Sequence, residues 1–158
     1  PGLALFYGGL VRSKNMLSVL MQVLTVVSVA SLVWVCWGYS LTFTPGTPFL
    51  GGLSKAFLRG VDANSVAATF TTGVYVPEYA YVAFQMTFAC ITPALIVGAF
   101  AERVRFTPLI LFTVVWLTLV YFPIAHMVWY WAGPDALSDA ARAAYGRSAS
   151  RSRRPKHR

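Results

Sequence analysis

Three long stretches of this chain carry no formal charge, and they dictate its architecture. Asn15 to Ser54 is 40 residues without Lys, Arg, Asp or Glu, 23 residues separate Glu78 from Glu102, and 29 uncharged residues run from Phe106 to Pro134. At a rise of about 1.5 Å per residue, a helix over even the shortest of these runs is roughly 34 Å long, enough to cross a hydrocarbon core of about 30 Å. Helix breakers and charges bound each run. Thr44-Pro45-Gly46-Thr47-Pro48 ends the first because proline and glycine cannot continue a helix there. Pro77 suits a first helical turn and Glu78 sits well beside the positive end of a helix dipole. Glu102-Arg103-Val104-Arg105 closes the middle run, since such charges are costly in lipid. Pro108 falls where a first turn of the last run would begin. The pattern predicts helical spans at about 16–43, 79–101 and 106–129. Residues 1–11 are apolar and Gly-rich but too short to cross alone, and read as the last half of a helix closed by Arg12 and Lys14.

The middle span carries the most internal detail. Phe84 and Phe88 are four apart and share a face, with Thr92 one step further and Leu95 along the same stripe. Pro93 lacks an N–H and crowds the carbonyl of Ala89, which predicts a bend near the middle of the helix. Ala94 and Gly98 form a small-xxx-small face where a second helix can approach closely. The fold class expected is an all-α polytopic membrane protein, a helical bundle of three full spans plus the end of one. The connection 44–77 holds Pro48, Gly51-Gly52, Gly60 and a short amphipathic piece around Ser54 to Leu58, and part of it is expected to lie on the membrane surface.

Composition agrees with a lipid setting: 57% hydrophobic, 15% aromatic and 11% charged, against about 25% charged in an average soluble domain. The net charge of +8 would ordinarily suggest nucleic acid, but it is unevenly placed. Residues 1–132 hold six basic against three acidic residues, and 133–158 hold seven against two, so the basicity belongs mostly to a tail and no nucleic-acid partner is expected. Arg12, Lys14, Arg103 and Arg105 share one side, while the 44–77 connection has only Lys55 and Arg59, which makes the tight turns cytoplasmic and the 44–77 loop external. The tail then falls outside, against that tendency; lacking apolar periodicity, it reads as foreign sequence from a shifted frame or truncated gene, or else as a flexible basic extension. The start at Pro1, with neither Met nor a signal pattern, likewise reads as a fragment. Cys36 and Cys90 lie on separate apolar runs and suit packing rather than a metal or disulfide frame.

FQMTFACITPALIVGAFAERVRF followed by VVWLTLVYFPIAHMVW closely resembles the third and fourth transmembrane helices of the Amt/Mep/Rh ammonium transporter family. PGLALFYGGLVRSKN resembles the end of that family's first helix, so the likeness covers roughly residues 1–132. It implies a multi-pass protein of the cell membrane that conducts ammonium or ammonia. The complete family protein has eleven spans in inverted repeats and forms a homotrimer, often with a PII-type regulator at its cytoplasmic face.

Phe88, Trp129 and Phe84 are the residues on which chemistry could rest. A small cation desolvated against ring faces gains about 2 kcal/mol or more without needing a carboxylate, and no acid lies within any predicted span. From the residues alone, core packing or lipid contact is the simpler account of these rings. The resemblance reverses that: positions matching Phe88 and Trp129 help form the family's external ammonium site and the Phe gate beneath it, with Phe84 lining the vestibule above. Phe6 and Tyr7 match first-helix positions near its pore. His126 matches neither of the family's paired pore histidines and is expected to be structural, hydrogen-bonded near the interface. Glu102, with Arg103 and Arg105, is expected to terminate a helix and pair at the cytoplasmic face. There is no nucleophile and base arrangement, phosphate loop or metal spacing, so no enzyme and no cofactor is expected. The rivals are a haem- or quinone-anchoring subunit, which would want two axial histidines at membrane depth, and a non-transporting membrane fragment.

Overall fold

The computed structural model describes residues 2–69, 71 and 73–131. Within it a short helix α1 (Gly2–Leu10) precedes three helices long and apolar enough to cross a membrane: α2 (Ser13–Phe43), α3 (Glu78–Phe100) and α4 (Phe106–Trp129). The expectation for 133–158 falls outside the described residues.

Small side chains let these helices close on one another. Ala4 of α1, Val23 and Val26 of α2, Ala94 and Val97 of α3 and Leu109 of α4 form one buried cluster. A second gathers Ala30, Trp34 and Tyr39 of α2 with Ala89 and Cys90 of α3 and Leu117, Phe122 and Ala125 of α4. The small-residue face on α3 is used as its spacing suggests: a Cβ on Gly98 would lie 2.6 Å from the Tyr7 ring, so only glycine lets α1 lean there. α3 remains helical through Pro93, which is fully buried.

Two features of the long helices go beyond periodicity. A π turn interrupts α2 at Trp34–Gly38 and another interrupts α4 at Leu117–Tyr121. They face each other, for a Cβ on Gly38 would meet the Phe122 ring at 2.4 Å, and Trp37 Nε1 donates to Thr118 Oγ1 at 3.2 Å.

The 44–77 connection departs from the all-α expectation. It contains a two-stranded antiparallel sheet, β1 (Val66–Ala68) against β2 (Tyr75–Pro77). The strands are rich in Val, Ala and Tyr, but at three residues each they are too short for an alternating pattern to stand out. Pro77, expected inside a first helical turn, ends β2 in extended conformation immediately before α3. The amphipathic piece is only a 3-10 turn, Ala56–Leu58, in which Phe57 and Leu58 take φ of 56° and 55°. Near the end of α2, Gly51 lies so close to the chain that a Cβ there would sit 2.6 Å from the Thr44 carbonyl.

Candidate functional site

α3 and α4 bring Phe84, Phe88 and Trp129 onto one face near the end that carries the 44–77 connection. The rings of Phe84 and Phe88 are 5.2 Å apart and nearly perpendicular, at 82°, the one-turn spacing of their sequence positions. Phe88 in turn stands 5.7 Å from Trp129, tilted by 58°. Tyr121, about two helical turns earlier on α4, contacts the Trp129 ring edge to face at 6.5 Å. The three rings are not packed away: Phe84 is 58%, Phe88 37% and Trp129 38% exposed. Beside them lies a cavity of about 510 Å³ whose wall includes Tyr81, Phe84, Gln85, Trp129 and Tyr130. Gln85 Oε1 is a buried acceptor with no hydrogen bond among the described residues. Such a surface offers ring faces and an unused oxygen to a small, hydrogen-bonding cation. Nothing in the sequence marked Gln85; its one signal is an amide in an otherwise apolar helical face adjoining Phe84.

Phe6 and Tyr7 lie elsewhere. Their rings contact each other at 5.6 Å, and the Tyr7 hydroxyl donates to the Leu95 carbonyl at 3.0 Å. Leu95 is seven residues past Phe88, about 10 Å further along the helix axis. The structure therefore separates the three-ring group from this pair, of which Tyr7 lines a smaller hollow with Leu95, Gly98 and Glu102.

The ring-bearing helix ends are anchored by polar groups. Glu78, buried at the start of α3, accepts a hydrogen bond from Tyr39 Oη at 2.6 Å and pairs with Lys55 Nζ. One carboxylate thus ties α2, α3 and the long connection together. The dipole position expected for Glu78 is real, but its partners could not be read from spacing, because Tyr39 and Lys55 are 39 and 23 residues away. His126, on the last turns of α4, reaches the Thr42 carbonyl with Nδ1 at 2.8 Å and the Thr47 carbonyl with Nε2 at 3.1 Å. Its ring stacks on Tyr130 at 4.7 Å and 12°. It clasps the end of α4 to the end of α2, two turns or less from Trp129, and does not share the ring face.

At the opposite end, Glu102 adopts φ +68° in the turn between α3 and α4. Its Oε1 accepts from Asn15 Nδ2 and from the Arg12 backbone N–H, both at 2.9 Å, and Arg12 Nε is 3.9 Å from Oε2. The Asn15 amide first, and then the Arg12 N–H, hold this carboxyl below the usual range. Its partners therefore come from the start of α2 and the residue before it, not from the adjacent Arg103 and Arg105.

The family model described as Ammonium Transporter Family matches residues 1–144. An ammonium transporter of Bacillus subtilis is 50% identical over 146 residues, covering 89% of this chain and 34% of that protein. Ammonium transporter 1 of Dictyostelium discoideum is 43% identical over 130 residues, covering 82% of the chain and 27% of the relative. Among solved structures, Mep2 of Candida albicans superposes with a TM-score of 0.69 at 36% identity, covering 89% of this chain and 30% of that one. Mep2 of Saccharomyces cerevisiae does so at 0.69 and 37%, covering 84% and 30%. The chain spans about a third of the length of the relatives it matches. Long apolar helices, the motifs that run through them and these likenesses agree: this chain is a multi-pass helical membrane protein of the ammonium transporter family.

Proposed function

We propose that the chain serves the movement of ammonium or ammonia across the cell membrane, and that Phe88 and Trp129 receive the cation on the external side, with Phe84 lining the approach. The observation that carries this reading is the ring pair itself, 5.7 Å apart yet 37% and 38% exposed. A monovalent cation between such faces is held by ring quadrupoles, and the carboxylate at this end of the bundle, Glu78, is already engaged by Lys55 and Tyr39. Basic residues cluster at the Arg12–Lys14 and Arg103–Arg105 turns, which sets those turns inside and the 44–77 connection outside. The cation sheds a proton as it passes inward from the rings. Phe6 and Tyr7 would line a deeper stretch of the path.

A chain of this length supplies one wall of that path. In the complete arrangement it would be closed by further helices, assembled as a homotrimer and met by a PII-type regulator on the cytoplasmic side. The test is methylammonium uptake in a transporter-deficient strain, by this chain and by the chain extended with the family's later helices. Uptake is expected only from the extended form, and its KM is expected to rise when Phe88 and Trp129 are both changed to Leu. Unchanged uptake and selectivity after that double change would remove the rings from the site, and robust uptake by the short chain would overturn the one-wall reading.

A further inference from the structure

The buried columns of α2 and α4 follow a spacing that an ordinary α-helix cannot keep. On α4, Leu109, Thr113, Leu117, Tyr121 and Ala125 are all buried, and Trp129 continues the series at the same step of four. At about 100° per residue, each step of four overshoots a full turn by about 40°, so the five steps to Trp129 would carry it roughly 200° around the axis. A π turn adds one residue to a single turn and takes back about 100° of that drift. On α2 the same holds for Ala30, Trp34, Gly38 and Thr42, which are buried at every fourth position. Both helices contain their π turn at the level where they touch.

We infer that the facing π turns, Trp34–Gly38 and Leu117–Tyr121, form the positioning element that turns Trp129 toward Phe88, with Gly38 and Phe122 as its positioning residues. Without the turn on α4, everything beyond it would rotate by about 100° about the helix axis. For a ring carried at a radius of about 5–6 Å, that is a sideways displacement of about 8–9 Å, larger than the 5.7 Å now separating the Phe88 and Trp129 centroids. The turn on α4 lies against the turn on α2. Phe122 is wholly buried over Gly38, where a Cβ would come within 2.4 Å of its ring. The Trp37 indole N–H bridges to Thr118 Oγ1 within the opposite turn. Tyr121, the last residue of the α4 turn, contacts Trp129 itself. The register of the ring site is thus set from below, by the two turns and the residues packed between them.

Gly38 makes the clean test, because its φ of −60° and ψ of −47° are ordinary helical values and alanine brings no backbone penalty. The effect of Gly38→Ala is the clash alone, and Phe122→Leu removes the ring that causes it. The first readout is independent of transport. With Cys36 and Cys90 replaced by Ala in the membrane-inserted chain, a Phe88→Cys, Trp129→Cys pair is bridged by a short bifunctional thiol reagent, and the yield is taken per inserted molecule. Gly38→Ala is expected to lower that yield about fivefold, the factor that overpacking worth roughly 1 kcal/mol produces, and Phe122→Leu to restore it. The second readout is methylammonium uptake by the extended form. KM should rise with Gly38→Ala and recover with Phe122→Leu, while Vmax follows the amount of inserted protein. Should Gly38→Ala lower expression, Trp37→Phe loosens the same element without added bulk and should shift both readouts in the same direction. An unchanged bridging yield overturns the positioning inference, as does a KM that stays constant in Gly38→Ala where Phe88→Leu or Trp129→Leu raises it. The inference rests on the rings being the cation site, and the two can fail separately. If bridging falls and recovers but Phe88→Leu and Trp129→Leu leave KM unmoved, the positioning stands and the cation reading does not.

Discussion

Two aromatic groups lie within one helix length of each other and are used in opposite ways. Around Trp34, the rings of Tyr39, Phe43 and Phe122 gather at 5.9, 6.2 and 6.0 Å, and Trp34, Tyr39 and Phe122 are 1%, 3% and 0% exposed. Around Phe88, Phe84 and Trp129 stand at similar separations, 5.2 and 5.7 Å, and remain open. Ring spacing does not distinguish the two groups, since both show the tilted and edge-on geometry that aromatic quadrupoles favour. What distinguishes them is the fate of the polar tips. Trp34 Nε1 donates to the Val82 carbonyl at 3.2 Å and Tyr39 Oη to Glu78, so the first group is finished as structure. The second borders an acceptor, Gln85 Oε1, that nothing satisfies among the described residues. Partnered polar tips suit a group that only packs; an open acceptor beside open rings is what the proposed cation site would use.

The contrast breaks first if the two groups respond alike to truncation. Trp34→Ala is expected to cost about 3–5 kcal/mol, the range for deleting a buried large aromatic. Phe84→Ala, at an exposed position of this chain, should stay within about 0.5 kcal/mol. Thermal unfolding of the detergent-extracted chain measures both, and equal losses would mean that the open rings also hold the bundle. A second test strikes the polar anchor between the groups. Lys55→Met leaves the Glu78 carboxylate, 3% exposed, with Tyr39 and Ser65 as remaining partners. The expected loss is about 1.5–3 kcal/mol, the scale of a hydrogen bond to a charged group. Most of it should return when Glu78 is also changed to Leu, because an apolar pair leaves no charge to compensate. A smaller effect belongs to the far end of α3: Tyr7→Phe removes the bond to the Leu95 carbonyl and should cost about 0.5–1.5 kcal/mol without altering KM. A change in KM there would extend the proposed cation-binding surface from the three rings to the Phe6–Tyr7 pair.

The long helices were legible because their signal is cumulative. Dozens of uncharged residues bounded by Arg12, Glu78, Glu102 and the Pro45–Pro48 break admit few other readings. The Ala94–Gly98 face was legible for the same reason, being a repeat of small residues at a helical interval. What escaped were features set by residues distant in sequence. Glu78 finds Tyr39 and Lys55, and Glu102 finds Asn15 and Arg12, pairings that no local spacing encodes. The β1–β2 hairpin was missed because three-residue strands carry too little alternation. The π turns stood in the sequence all along as columns of four-residue steps, but only burial shows which column faces inward. Of the ring site, Phe84 and Phe88 share a face by arithmetic within α3. Trp129 joins them through α4, and its rotation depends on a turn that composition and periodicity did not disclose.

The smallest expected effect concerns Glu102, and it sharpens the same contrast between finished and open groups. Its carboxyl is held below the usual range by the Asn15 amide first and by the Arg12 N–H, so the folded value lies beneath the unfolded one. A depressed folded value means that the stabilisation is fully present above the ordinary carboxylate range and disappears as pH falls through the folded value. Glu102→Gln keeps an oxygen for Asn15 and Arg12 but removes the charge. The wild-type chain should therefore unfold at a slightly higher temperature than Glu102→Gln near neutral pH, and the two curves should converge as the medium becomes acid enough to protonate Glu102. Convergence assigns the difference to charge at an exposed turn, where solvent keeps it small. A gap that persists at low pH would instead trace the difference to packing or backbone geometry around the Glu102 turn, and this end of the bundle would then be a finished structural group like the one around Trp34.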